Sequence, residues 1–217
     1  LINSNNAFIS KNMLFKNSYG NIVIVGNNGQ IVNNTVEFAG NNHLGNSMDI
    51  MNSSKMTITG NQLLSPTCHG IYVMNSRNLL IDDNRISSGI TYAMNVLTYP
   101  EATATDDYLK AYRTVNMSNS QLSNNIIITN NYMAQNRYGI TASDLSGLTV
   151  KNNYFIQRFT TDAARKFWTD NSVLLKNITQ LTWQNNWYKE AFTQENGGDN
   201  TRSKVFVPFP ETGGIVL

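Results

Sequence analysis

One cysteine, Cys68, and two histidines are all that this 217-residue chain has of those residue types. A single cysteine excludes an internal disulfide, and it neither proves a cytosolic home nor excludes an extracellular one. With so few histidines, and no serine on a strand–turn–helix beside either, Ser/His/Asp hydrolysis is unsupported. Charge is scarce as well: 14% of residues, with a net of +2 and a pI of 8.6. So thin a balance gives no electrostatic case for nucleic acid or an anionic membrane. No apolar run approaches the roughly 20 residues of a membrane span, and no charged-then-apolar leader opens the chain. Hydrophobic content of 41% argues against disorder. One residue type is in excess: asparagine makes up about one residue in six, roughly three to four times ordinary usage.

The asparagines recur in a frame. An apolar residue, two of any kind, Asn, one of any kind and another apolar residue repeat along the chain. The frame reads Ile9/Asn12/Leu14, Ile31/Asn34/Val36, Ile58/Asn61/Leu63, Ile81/Asn84/Ile86, Ile128/Asn131/Met133, Val150/Asn153/Phe155 and Trp183/Asn186/Tyr188. Successive asparagines are 22, 27, 23, 47, 22 and 33 residues apart, a period of 22–23 with insertions. A fixed period of that size predicts a solenoid. Eight residues before each anchor lies a second apolar position (Ile50, Val73, Ala142, Leu175), with its alternating mate two further back (Met48, Ile71, Ile140, Val173). A polar turn residue follows: Asn52, Asn75, Asp144, Asn177. Three short strands and three corners per repeat make one coil of a parallel β-helix.

Stacked coils set equivalent residues about 4.8 Å apart. An inward-turned Asn there donates to the coil on one side, accepts from the other, and satisfies corner backbone groups that no strand pairs. The Asn column is therefore a structural ladder, not a row of ligands or glycosylation points. A leucine-rich repeat also fits Leu148-x-Val150-x-x-Asn153-x-Phe155, but its other half-repeat should not be the strand "GIYV" or "GITA".

"GIYVMNSRNLLIDDNRI" and its copies, from about residue 1 to 188, resemble the right-handed parallel β-helix superfamily of pectate-lyase-like proteins. That superfamily includes polysaccharide lyases, glycoside hydrolases, uronan epimerases and bacteriophage tailspikes. The resemblance implies about seven coils of three strands each. It places Met48–Ile50 and its equivalents in a first sheet and Met56–Ile58 in a second. The third sheet follows the Asn corner. The chain opens in mid-coil, which reads as a fragment of a longer chain or an end that something else covers. Insertions are expected at about 97–120 and 157–171, with 189–217 a tail or cap. The Asp-Pro-His-Asp signature of alginate epimerases is absent.

Alternation turns Val23, Asp49, Tyr72, Asn95, Thr141 and Leu174 outward from the first sheet, the face on which the resembling lyases bind sugar. Tyr72 and Tyr138 are suited to stack on sugar rings, and Asn95, Thr141 and Arg137 to hold hydroxyls. Glycoside hydrolysis needs two carboxyl groups. Asp49 is the only one on this column, and Glu101 or Asp107 from the first insertion are candidate partners. The adjacent Asp82 and Asp83 diverge at a corner. A lyase needs a base and a cation near the uronate, for which His69 with Arg137 or Lys55 is a candidate set. Cys68 reads as a structural thiol.

Three functions stay open: a tailspike-like protein that binds and depolymerises a bacterial surface polysaccharide, a non-catalytic adhesin or shaft, and a secreted uronan lyase or epimerase. No cofactor is expected, save calcium for a lyase, although no compact cluster of three acidic residues marks a site for it. The tailspike resemblance implies a homotrimer located outside the cell or on a virion.

Overall fold

A computed structural model describes residues 2–17, 20–38, 45–89, 91–98, 123–136, 138–159, 173–192, 207–208 and 215–216. The described secondary structure is all β. Strands stack in parallel, in register, in three columns. The first column runs through Ile2–Asn5, Ile22–Asn27, Met48–Met51, His69–Met74, Tyr92–Leu97, the front of Tyr138–Lys151 and the front of Val173–Gln184. The second runs through Phe8–Ser10, Gln30–Val32, Ser54–Thr59, Arg77–Asp82, Asn124–Thr129 and the back halves of those two long strands. The third runs from Met13–Phe15 to Trp187–Phe192. This is a parallel β-helix, and the helical half-repeat of the rival solenoid is absent from the described residues.

Ile31, Ile58, Ile81, Ile128 and Val150 are all fully buried, as are Val36, Leu63 and Ile86 on the far side of each asparagine. Each such side chain contributes roughly 1.5–3 kcal/mol. Residues of like shape stack on their equivalents in the next coil, so a period-2 pattern inside each strand is enough to fill the lumen.

The asparagine ladder is continuous. Side-chain Nδ2 of Asn12 donates to Oδ1 of Asn34 (2.9 Å), Asn34 to Asn61 (3.0 Å), Asn61 to Asn84 (2.9 Å) and Asn84 to Asn131 (3.0 Å). Asn131 donates to Asn153 and Asn153 to Asn186, both at 3.0 Å. Each Oδ1 also accepts the backbone N–H of the asparagine one coil back, as Asn84 does from Asn61 (3.0 Å).

Part of the asparagine excess has another cause. The residue before each ladder Asn sits in the left-handed region: Lys11, Asn33, Gly60, Asp83, Asn130, Asn152 and Asn185. So do Asn52, Asn75, Asp144 and Asn177 at the preceding corner, with φ between 46° and 57°. Apart from glycine, Asn and Asp tolerate that conformation best, because their short side chains bond locally.

A serine ladder escaped the sequence reading. At the corner between the first two columns, Ser53 N–H donates to Ser76 Oγ (3.0 Å) and Ser76 N–H to Ser123 Oγ (3.1 Å). Ser123 N–H in turn donates to Thr98 Oγ1 (2.8 Å). Thr98 and Ser123 thus pin together the two ends of the first insertion. Its residues 99–122 lie outside the described set, as do 160–172 of the second. The strand Tyr154–Phe159 runs on through 157–159, which were expected to begin the second insertion. Beyond the last ladder Asn, Val207–Pro208 pairs antiparallel with Trp187–Tyr188, and Ile215–Val216 extends the first column in parallel.

Candidate functional site

The outward column of the first sheet is the one expected. Val23, Asp49, Tyr72, Asn95, Thr141 and Leu174 are in direct cross-strand register. Three residues before it lies a second row in which His69 pairs with Tyr92 and Tyr92 with Tyr138. Tyr92 was missed from the sequence. Its signal was available, since it stands two residues before Met94, as His69 does before Ile71 and Tyr138 before Ile140.

Parallel register brings these rings face to face. His69 stacks on Tyr92 with centroids 4.9 Å apart and planes 9° apart, and Tyr92 stacks on Tyr138 at 4.9 Å and 19°. Tyr72 leans on His69 at 5.1 Å and is 8% exposed. The facing ring surfaces are therefore spent on one another, and what this row offers outward is ring edges. That corrects the expectation of Tyr72 and Tyr138 as open stacking platforms. Gly70 lets the row close, because a Cβ there would lie 2.6 Å from the Ala93 carbonyl oxygen.

Asp49 lies on the outward column but is 0% exposed. Gly20 of the neighbouring coil covers it so tightly that an added Cβ would come within 2.9 Å of Oδ2. A carboxylate sealed this way is out of reach of a polymer, which corrects its expected role as a substrate-facing acid. Asn46 Nδ2 donates to Asp49 Oδ1 at 2.6 Å. Asn46 Oδ1 accepts the His69 backbone N–H (3.1 Å) and lies 2.7 Å from His69 Nδ1. His69 Nε2 is 3.3 Å from Asn95 Nδ2, and Asn95 Oδ1 accepts from Thr141 Oγ1 at 3.0 Å. Five side chains thus form one chain of hydrogen bonds along the β-helix.

The donor and acceptor roles in that chain are determined. The His69 backbone N–H only donates, so the Asn46 amide turns its oxygen toward His69 and its NH₂ toward Asp49. His69 then carries its proton on Nδ1 and holds a lone pair on Nε2, which receives Asn95. Burial pushes the His69 pKa down from 6.5 to about 4, so the ring is neutral at pH 7.

Of the other expected site residues, Glu101, Asp107 and Arg137 lie outside the described residues. Lys55 lies in the second-column strand Ser54–Thr59, whereas His69 begins a first-column strand, so the two stand on different sheets of the coil. Asp82 accepts from Thr129 Oγ1 and Asn130 Nδ2, both at 2.7 Å. That is a ladder role at a corner. Cys68 is half-buried, and desolvation raises its pKa, so it is no activated nucleophile.

The fold defines a parallel β-helix protein with a polar, aromatic-edged first sheet. A sequence-family model described as "Periplasmic copper-binding protein (NosD)" matches residues 1–196, and the chain belongs to that family. No curated protein matches it. The family description implies copper, for which thiolate, thioether and imidazole are the suited donors. Among the described residues, no group of three or more His, Cys, Asp or Glu converges. Cys68 Sγ lies against His69, nearer to Nδ1 (3.1 Å) than to Nε2 (3.9 Å). The nearer nitrogen bears the proton given to Asn46, and the thiol is held protonated. The pair does not fit a copper site, and no step is assigned to the metal.

Proposed function

We propose that this chain is a carbohydrate-binding β-helix that works outside the cytoplasm and takes a polysaccharide along its first sheet. The coil would be right-handed, of about seven turns, the hand that parallel crossovers adopt. The observation that carries the reading is the ordered row of polar groups along the helix axis. Asn95 and the edges of Tyr92 and Tyr138 are half-exposed above the buried chain that fixes them. Groups held in place before binding lose little freedom when a ligand's hydroxyls arrive. A linear polymer on a one-dimensional scaffold can repeat the same contact from coil to coil. The family's description names a periplasmic protein, which agrees with a site of action outside the cytoplasm.

Binding is favoured over cleavage because the expected acid, Asp49, is sealed. A depolymerase would have to bring both carboxyl groups from elsewhere, such as Glu101 and Asp107. The test is to incubate the protein with capsular, O-antigen and uronan polysaccharides, following retention by affinity electrophoresis and chain length by gel filtration. Retarded migration with unchanged chain length is expected. Shortening of any polymer would replace the binding reading with a depolymerase. No retardation with any polymer would refute carbohydrate recognition.

A further inference from the structure

The hydrogen-bond chain has a fixed direction, and that direction determines what the surface presents. It is set at Asn46, whose Oδ1 accepts the His69 backbone N–H, a group that can only donate, and whose Nδ2 therefore faces Asp49. The tightest link is Asn46 to Asp49 at 2.6 Å, followed by His69 to Asn46 at 2.7 Å. The longest is Asn95 to His69 Nε2 at 3.3 Å, where a lone pair is held by a stretched donor. Besides the Cys68 thiol of its own coil, 3.1 Å from Nδ1, the ring's partners come from neighbouring coils. Asn46 stands one coil to one side and Asn95 one coil to the other, so the tautomer is a property of the stack.

We propose that Asn46 is a positioning residue, its amide oriented by the His69 backbone N–H and braced by Asp49. It locks His69 as the Nδ1–H tautomer, so that Nε2 faces the sugar-binding row as a fixed acceptor for a ligand hydroxyl that displaces Asn95. This rests on the carbohydrate-binding reading and refines it. The preferred ligand is a neutral, hydroxyl-rich glycan that donates at this point. A group with only acceptor oxygens there would face the Nε2 lone pair and be rejected. Asn95, when released, turns its amide to the same sugar, so one ligand hydroxyl and one ligand acceptor are read together.

Long-range nitrogen–proton correlation NMR on uniformly labelled protein reads the tautomer directly. With only His43 and His69 in the chain, a His43→Gln variant assigns the signals. The wild-type protein at pH 7 is expected to show His69 in a single Nδ1–H form, and an Nε2–H form or a mixture would overturn the inference without any site variant. Asn46→Ala removes the oxygen that receives Nδ1–H. It is expected to give mixed tautomers, and a single unchanged tautomer would remove Asn46 from the device. The ligand half uses cello-, malto- and xylo-hexaose as probes. The bound sugar is expected to shift the Nε2 resonance, and Asn46→Ala to weaken its binding about tenfold. Binding that leaves Nε2 unmoved overturns this inference and leaves the carbohydrate reading standing. Failure of all three hexaoses to bind, together with no retardation on the polysaccharide panel, overturns both.

Discussion

Replacing Asn84 by alanine tests whether the ladder holds the coils together or merely lines a corner. Asn84 Nδ2 donates to the Ile58 carbonyl (2.9 Å), the Asp82 carbonyl (3.0 Å) and Asn131 Oδ1 (3.0 Å). Its Oδ1 accepts from the Asn61 backbone N–H (3.0 Å) and from Asn61 Nδ2 (2.9 Å). Asn84 and Asn61 are both essentially closed to water. Alanine therefore leaves the Asn61 N–H without its acceptor inside the protein, at about 1–3 kcal/mol. It also deletes bonds worth about 0.5–1.5 kcal/mol each, two of them to backbone carbonyls. A loss of about 4 kcal/mol is expected, a large share of the roughly 5–15 kcal/mol that keeps a domain folded. Asn12 makes the same Nδ2 contact to Asn34 but is exposed. Its alanine variant should lose well under about 1 kcal/mol, because water replaces the missing group. Guanidinium unfolding followed by far-ultraviolet circular dichroism gives both values from midpoint shifts at a common slope. Losses within about 0.5 kcal/mol of each other would refute the argument that the buried amide column is a principal source of cohesion.

Asn75 tests the other use of asparagine: with φ at 49°, Asn75→Gly should change stability little, whereas Asn75→Val should cost about 1–2 kcal/mol in the same unfolding assay. His69 makes stability depend on pH, because its folded pKa of about 4 lies below its ordinary 6.5. The unfolded chain then binds the extra proton between those values. Stability is full above 6.5, falls as pH drops toward 4, and loses about 3 kcal/mol in all. That slope should be absent from His69→Asn, measured by unfolding at steps across the window. Cys68→Ser is expected to leave any copper(I) uptake unchanged in a competition titration with a chromogenic chelator, and a loss of uptake would show that the thiol and imidazole open to metal.

The fold was legible because the solenoid writes its geometry into the sequence at a fixed period. Once Asn12, Asn34, Asn61, Asn84, Asn131, Asn153 and Asn186 are aligned, the burial of Ile58, Ile81 and Ile128 and the outward column through Asp49, Tyr72 and Asn95 follow from alternation alone. Even the 47-residue gap resolves to one coil, because Asn95 pairs with Thr141 and Ile81 with Ile128. The serine ladder was harder to see, since Ser53, Ser76 and Ser123 follow strands of different length and one of them comes after an insertion.

The site was read less well, and the reason is the direction of the information. Alternation within a strand says which way a side chain leaves the sheet, but not what the neighbouring coil lays over it. Asp49 points outward and is still sealed, because Gly20 and Asn46 come from other positions in the coil frame. Tyr138 points outward and is still stacked, because Tyr92 occupies the equivalent position one coil away. In a parallel stack every outward residue has a like-placed neighbour at strand spacing, so aromatic rings in one column satisfy each other before they meet a ligand. Outward columns in a β-helix are therefore better read as rows than as residues. Here the His69 backbone N–H fixes the sense of the Asn46 amide, and that sense leaves the neutral His69 ring with its acceptor nitrogen toward the half-exposed Asn95.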